Sequence, residues 1–352
     1  MMNYKETLLF VGKCLTIIHE EHNRKIVEKK IKSENVNWDN VVKLSTEHYV
    51  FPALYCNFKK ANLLFFLPEE LVNYMMHITN LNRERNLQII EQAKEINELL
   101  LANNITPIFL KGTGNLLEGL YEDIAERMVG DIDFLVSKKD LKKANELLLL
   151  NKYSSFSTII NGFRHLPGLT KKNKIARVEI HEGLIKGKYI KEFNYRIIKD
   201  SIQSINDVYV ISFEDQLCLS IIANQINDDG IYFKNIALRN VYDVFLLSKK
   251  TNSLKAIKNY NLLFNSLNNF IALSNYTFGE AASLKYKKTK GVNNILKLNK
   301  RLLNNDSLRK KHFKKWSKYL LIKIRLGIIF KSFNHKETRT WLIKRIINGR
   351  QN

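Results

Sequence analysis

Cysteine is scarce in this chain: Cys14, Cys56 and Cys218 are the only three in 352 residues, and no CxxC pair occurs. An odd, scattered set excludes a disulfide framework, gives no hint of a zinc site and points to a reducing compartment. The four prolines and fourteen glycines nowhere gather into a linker, and no internal repeat is present. No run of 18 apolar residues exists either. The longest candidate, YLLIKIRLGIIF (319–330), is interrupted by Lys323 and Arg325 and is too short to span a bilayer. The opening MMNYKETLLFVGKC has no small-residue cleavage site, so no signal peptide is expected. These absences predict a cytoplasmic protein.

Acidic residues are missing from one end. Residues 300–352 hold 16 Lys and Arg against Asp306 and Glu337, a net +14, which leaves +9 of the total +23 for the first 299 residues. The chain is rich in Lys, Asn and Ile throughout, but a compositional bias should add Glu along with Lys, and in the tail it did not. Basic residues beside Trp316, Tyr319 and Phe330 suit a nucleic-acid backbone with stacking. They equally suit an amphipathic segment on an anionic membrane, or a final helix that packs one face and solvates the other. All three readings stay open, the plain packed helix foremost; contact with an anionic surface through residues 300–352 is the functional alternative, and the expected place is cytoplasmic, or peripheral at a membrane on that alternative.

What is present argues for a folded protein. The hydrophobic fraction is 45%, with 19 Phe and 15 Tyr, enough for two or three structural units with a sizeable core. Helical spacing of apolar residues runs from Glu6 to about Glu20 and again from Asn37, before Pro52 breaks the pattern or opens the next helix. "LPEEL" suits a helix start, and residues 70–103 read as one long helix with an apolar face of Leu71, Tyr74, Met75, Ile78, Leu81, Leu87, Ile90, Ala93, Ile96 and Leu99. The pattern then changes. "ITPIFLKG" (105–112) predicts a buried strand ending at Gly112, followed by a short helix in "TGNLLEGLY". "GDIDFLV" is a second strand, "SKKDLKKANELLLL" a helix capped by Ser137, and "IARVEIHEGL" (175–184) a strand with Arg177, Glu179 and His181 on a polar face. From "SFEDQLCLSIIANQI" to about Lys290 the text is helical.

Asp131 and Asp133 are two residues apart in a strand, so both point to one face. With Glu179 on a neighbouring strand they form an oxygen-rich set for a divalent cation such as Mg²⁺, which shares its ligands with substrate phosphates. An exposed edge strand with a solvated face is the alternative for D-x-D alone. Lys111-Gly112-Thr113-Gly114 stands where a strand ends and a helix begins, a place that favours phosphate, and Arg127 lies between it and D-x-D as a phosphate fork.

The order FLKGTG…R-x3-DIDFLV…VEIH resembles the uncharacterised nucleotidyltransferase family of the polymerase-β-like superfamily. NWDNVVKLSTEHYVFPALY is similar to that family's helical N-terminal part, and SFEDQLCLSIIANQI…ALRNVYDVFLL to its C-terminal helices, so the likeness covers roughly residues 35–250. The resemblance implies an α+β fold, with a small mixed or antiparallel sheet flanked by a helical N-terminal region and a helical C-terminal region. On this reading residues 1–104 are the helical N-terminal region, 105–200 the nucleotidyltransferase-like core, 201–298 the helical C-terminal region and 299–352 the basic tail.

It also implies Mg²⁺- or Mn²⁺-dependent transfer of a nucleoside monophosphate from an NTP to an unidentified acceptor, whether small molecule, protein or RNA. Asp131, Asp133 and Glu179 would be the catalytic metal carboxylates. Gly112 and Thr113 would hold the triphosphate, with Lys111 and Arg127 as phosphate contacts. His181 matches the family's E-x-H and reads as an orienting or substrate-side residue. Thr113 stands where serine is commoner, the gap from Thr113 to Asp131 is long for the wider superfamily, and Asn224 and Gln225 stand where relatives carry histidine. Asp243 is expected to bridge to Arg239 one turn earlier. His165, in NGFRHLPGL, reads as a loop histidine, or one that approaches the active face with Arg164. The rival function is a non-catalytic module of the same fold that binds an anionic partner.

Overall fold

The computed structural model describes residues 2–155, 164–205 and 207–347. Four helices open the chain: α1 (Tyr4–Cys14), α2 (Glu21–Lys32), α3 (Trp38–Glu47) and α4 (Phe51–Lys60). Asn3 and Glu6 cap α1 reciprocally, and Asn37 caps α3 by accepting from the Asn40 amide at 2.9 Å. Helix α1 stops at Cys14, short of the expected Glu20, and continues as turns. Pro52 occupies the first turn of α4, where its missing N–H costs nothing.

The 33-residue α5 (Glu69–Leu101) leads to β1 (Ile108–Phe109) and α6 (Lys111–Leu117). Then follow β2 (Asp131–Leu135), α7 (Leu141–Leu150), β3 (Arg177–His181), the one-turn α8 (Tyr195–Ile198), β4 (Gln203–Ile205) and β5 (Val208–Val210). Ser137 does not cap α7. Its hydroxyl donates to Asp140 Oδ2 at 2.5 Å within a turn, and the helix starts after Asp140.

The sheet has the order β3-β2-β1-β5-β4 and is mixed: β2 runs antiparallel to β1 and parallel to β3, while β5 runs parallel to β1. This is an α+β fold of the expected kind. Its inner face buries Ile132, Phe134, Val178 and Ile180 completely, the alternate residues of β2 and β3, and the other face carries the acids. Helix α6 lies close on β1. A Cβ at Gly114 would come within 2.8 Å of Phe109 O, so only glycine admits this approach.

Eight helices follow among the described residues: α9 (Phe213–Ile222), α10 (Gly230–Phe233), α11 (Leu238–Lys250), α12 (Ser253–Lys258), α13 (Phe264–Thr277), α14 (Lys290–Leu303), the long α15 (Asp306–Asn334) and α16 (Lys336–Ile347), which turns back on α15. One continuous apolar cluster joins the N-terminal helices, the sheet and the C-terminal helices.

The long helix α5 buries more than its apolar pattern. Tyr74, Leu81 and Leu87 are exposed, whereas Thr79, Asn82, Asn86, Gln92 and Asn97 are buried. Their amides grip backbone of the sheet module. Asn82 donates to Ala125 O (2.7 Å), Asn86 to Ile124 O (2.6 Å) and Arg127 O (2.7 Å), Gln92 to Ala176 O (3.0 Å), and Asn97 to Asp207 O (2.8 Å). Most of the expected apolar face holds, with Met75, Ala93 and Ile96 buried and Leu71, Ile78, Ile90 and Leu99 packed against the core. The correction is limited to Tyr74, Leu81 and Leu87, and a polar stripe is added beside that face because irregular backbone near the sheet needs donors that its own ladder does not supply.

Candidate active site

Strand register brings the acids together. Asp131 lies opposite Arg177 and Asp133 opposite Glu179. Asp133, Glu179 and His181 are all buried, and their ligand-type atoms lie within 4.8 Å of one another, a geometry that can hold a metal ion. Asp131 is set at the solvent side, with 45% of its side chain exposed.

Protein cations neutralise this cluster. Lys111 Nζ donates to Asp133 Oδ1 at 2.6 Å, Arg177 is hydrogen-bonded to Glu179, and Arg177 Nε stands 3.7 Å from Asp131 Oδ1. Burial works to raise the Asp133 carboxyl, but the Lys111 ammonium and a 2.8 Å hydrogen bond from His181 Nε2 outweigh it and hold the carboxyl well below the usual range. Asp131 is shifted the other way, raised by burial and by the charge of Glu179.

Both nearby imidazoles aim Nε2 at the acids. His165 Nδ1 lies 2.8 Å from Leu166 O, and a carbonyl only accepts, so that nitrogen carries the proton. Its Nε2 stands 3.6 Å from Glu179 Oε2, which places this second imidazole beside the carboxylate cluster. His181 Nδ1 is 3.3 Å from Gly183 O, a partner that would hold the proton on Nδ1 if Nε2 turned to a metal. Burial lowers the pKa of His181 and favours this neutral ring. The two rings are 5.1 Å apart. Two carboxylates, one imidazole and a second imidazole beside Glu179 fit a divalent cation.

A cleft opens on this face, lined by Lys111, Gly112, Asp131, Asp133, Arg164 and Asp228 among others. Gly112 sits under it; a Cβ there would stand 3.0 Å from Val129 Cγ2 and 3.5 Å from the Arg127 guanidinium. Thr113 is buried, and its hydroxyl donates to Asp131 O (2.9 Å), tying α6 to β2. Arg127 also lines the cleft but is buried, its Nε donating to Asp243 Oδ1 and Oδ2 at 3.0 and 3.1 Å and its Nη1 to Met128 O at 2.6 Å.

Asp243 therefore takes Arg127 and a hydroxyl hydrogen bond from Tyr121 (2.7 Å), not Arg239 as expected from helical spacing. The Arg239 guanidinium lies over the Tyr49 ring, 5.1 Å from its centre. The loop before β2 delivers Arg127 to a buried carboxylate, and i, i+4 spacing within α11 does not show that.

Asp228 has no place in the sequence reading, and Arg164 enters it only as the companion of His165. The backbone after α9 widens into a π-helical turn, Ala223–Asn227, with Asp228 N donating to Ala223 O at 2.9 Å. This turn buries Asn224 and Gln225 and presents Asn227 and Asp228 to the cleft. Burial raises the Asp228 carboxyl and lowers the Arg164 guanidinium, and the charge of each opposes the shift of the other. A widened turn in IIANQIND leaves no mark in apolar spacing.

A family model described as uncharacterised nucleotidyltransferase matches residues 34–261. No curated protein and no solved structure matches the chain.

Proposed function

Because the chain belongs to the uncharacterised nucleotidyltransferase family, we propose that it transfers a nucleoside monophosphate from an NTP to a hydroxyl or phosphate of an acceptor, in a reaction dependent on Mg²⁺ or Mn²⁺. The observation that carries this reading is the register pairing of Asp133 with Glu179 and the convergence of His181 on both. Asp133, Glu179 and His181 would hold the cation, with Asp131 on the solvent side. When bound, that cation supplies charge neutralisation for the carboxylates and for the donor's phosphate oxygens.

The chain's own residues do the rest. Lys111, now spent on Asp133, is the cation next to any triphosphate laid over Gly112, Arg164 faces the same cleft, and Arg177 stays paired with Glu179. The acceptor oxygen bonds to the α-phosphorus as the bond to pyrophosphate breaks. Positioning and charge stabilisation account for most of the rate in such a transfer. A non-catalytic module would leave this buried acid–imidazole cluster without a purpose.

Calorimetric titration of ATP, GTP, CTP and UTP tests the reading, with and without Mg²⁺ or Mn²⁺, on wild type and on the Asp131→Asn, Asp133→Asn double variant. Binding that needs the cation, with at least ~100-fold loss in a double variant that melts like wild type, is expected. Nucleotide binding that ignores the cation, or survives the double substitution, would sink it.

A further inference from the structure

The C-terminal hairpin α15–α16 lies outside the residues that the family model matches, and the proposed transfer does not use it. Twelve of the twenty-five exposed large apolar side chains among the described residues fall between Phe313 and Ile347. On α15, Ile322, Leu326, Ile329, Phe330 and Phe333 recur at i, i+4, i+7, i+8 and i+11, which makes one continuous stripe. All five are exposed, Phe330 at 68% and Phe333 at 70%, and Ile346 and Ile347 of α16 are exposed at 72% and 74%. By helical position Lys318 and Arg325 flank the stripe on one side and Lys323 on the other.

We propose that this hairpin seats the protein on an anionic bilayer surface, lying in the interface with the apolar stripe turned inward. A basic helix edged in this way, with long stems reaching back to headgroups, has the chemistry of an interfacial segment. It does not cross, since no helix of the structure is long and apolar enough to do so.

Charge selects the occupant. A second copy of the chain would bring +14 against +14 in residues 300–352, which opposes self-association through this face. For a single-stranded nucleic acid the stacking rings are few: Trp316 and Tyr319 are packed on Tyr232 with ring centres 5.1 and 5.9 Å from it, Phe313 stacks on Phe233 at 4.9 Å, and the exposed Phe330 and Phe333 are set among aliphatic side chains. Three of the five stripe residues are aliphatic, and hydrocarbon suits them better than bases. Beside the hairpin lies a cavity of about 610 Å³ walled in part by Lys186, Lys188, Tyr232, Trp316 and Lys323. Lys323 belongs to both features, so basic groups continue from the edge of the stripe into that cavity.

Co-sedimentation of the full chain with lipid vesicles tests this. Phosphatidylcholine vesicles with phosphatidylglycerol should pellet the protein, and phosphatidylcholine alone should not. Leu326→Asn with Phe330→Asn keeps every charge and alters only exposed positions, so circular dichroism and melting should match wild type. Its vesicle binding should fall by at least ~10-fold, as expected for removing two interfacial apolar side chains. Undiminished binding of that variant would reduce the effect to adsorption of a basic protein and overturn the proposal. So would equal pelleting with neutral vesicles, a dimer in light scattering that the same substitutions dissolve, or tighter binding to single-stranded RNA that they abolish. The nucleotide titration above is separate: its failure leaves this result standing, and the reverse.

Discussion

At Lys111 the backbone has φ of +53°, a left-handed conformation that costs a non-glycine residue roughly 1 kcal/mol or more. Glycine would relieve that strain, so the lysine at the turn from β1 into α6 is explained by what its ammonium does on Asp133. Lys111 and a metal compete for the same carboxylate. Lys111→Met should therefore tighten Mn²⁺ binding to the nucleotide-free protein, read by electron paramagnetic resonance, and weaken NTP binding by about 10-fold. If both affinities move together, the lysine is a structural partner only. The Arg127–Asp243 pair carries a different expectation. Both groups are buried, so Asp243→Leu leaves an unpaired guanidinium and should cost about 3–5 kcal/mol in urea unfolding, with a cost below 1 kcal/mol counting against a buried pair. At this scale the acids were legible, because D-x-D and E-x-H in β-strands fix their faces by period 2. His165 and Asp228 were much less so, since an irregular loop and a π turn deliver them and neither follows a period.

Among the elements, α5 shows where apolar periodicity is incomplete. Its length is plain in the sequence, but Leu81 and Leu87 face water while Asn82 and Asn86 are buried on loop carbonyls. A helix that docks on irregular backbone needs amides, and a hydropathy pattern scores those positions as surface. Asn86→Leu should destabilise by about 1–3 kcal/mol, since Ile124 O loses its donor and Arg127 O keeps only the longer bond from Asn82 at 3.2 Å, whereas Leu87→Ala should stay within about 0.5 kcal/mol. The opposite order in chemical denaturation would deny the polar stripe its part in docking. Strands β4 and β5 went unread for another reason: three residues each is too short a run for alternation to register.

Across the whole molecule, two groups outside the cleft lining set opposing slopes of stability with pH. His48, at the end of α3, accepts the Leu238 amide of α11 at 3.2 Å, and burial pushes its imidazole down to about 4. The unfolded chain binds that proton first, so this contribution is present above pH 6.5 and is lost as pH falls toward about 4. Glu118, at the end of α6, is pushed up to about 7 by burial, with the Gln216 amide opposing the shift. The folded chain binds that proton first, so its contribution is present below pH 4.5 and is lost as pH rises toward about 7. Relative to wild type, His48→Asn should remove a rising slope and Glu118→Gln a falling one between pH 4.5 and 6.5, followed by thermal melting at stepped pH. Slopes of the same sign would refute the assignment. The overall topology was the least legible level. Nothing local announces that β1 lies in the middle of the sheet, or that Ile108 pairs in parallel with Tyr209. That pairing has a consequence in time. About a hundred residues must close into a loop before the central strand gains its second neighbour, and contacts of such sequence separation slow folding. The amide-bearing face of α5 reaches backbone at residues 124, 176 and 207, so it can gather those distant segments beforehand and act as a jig on which the sheet is assembled last.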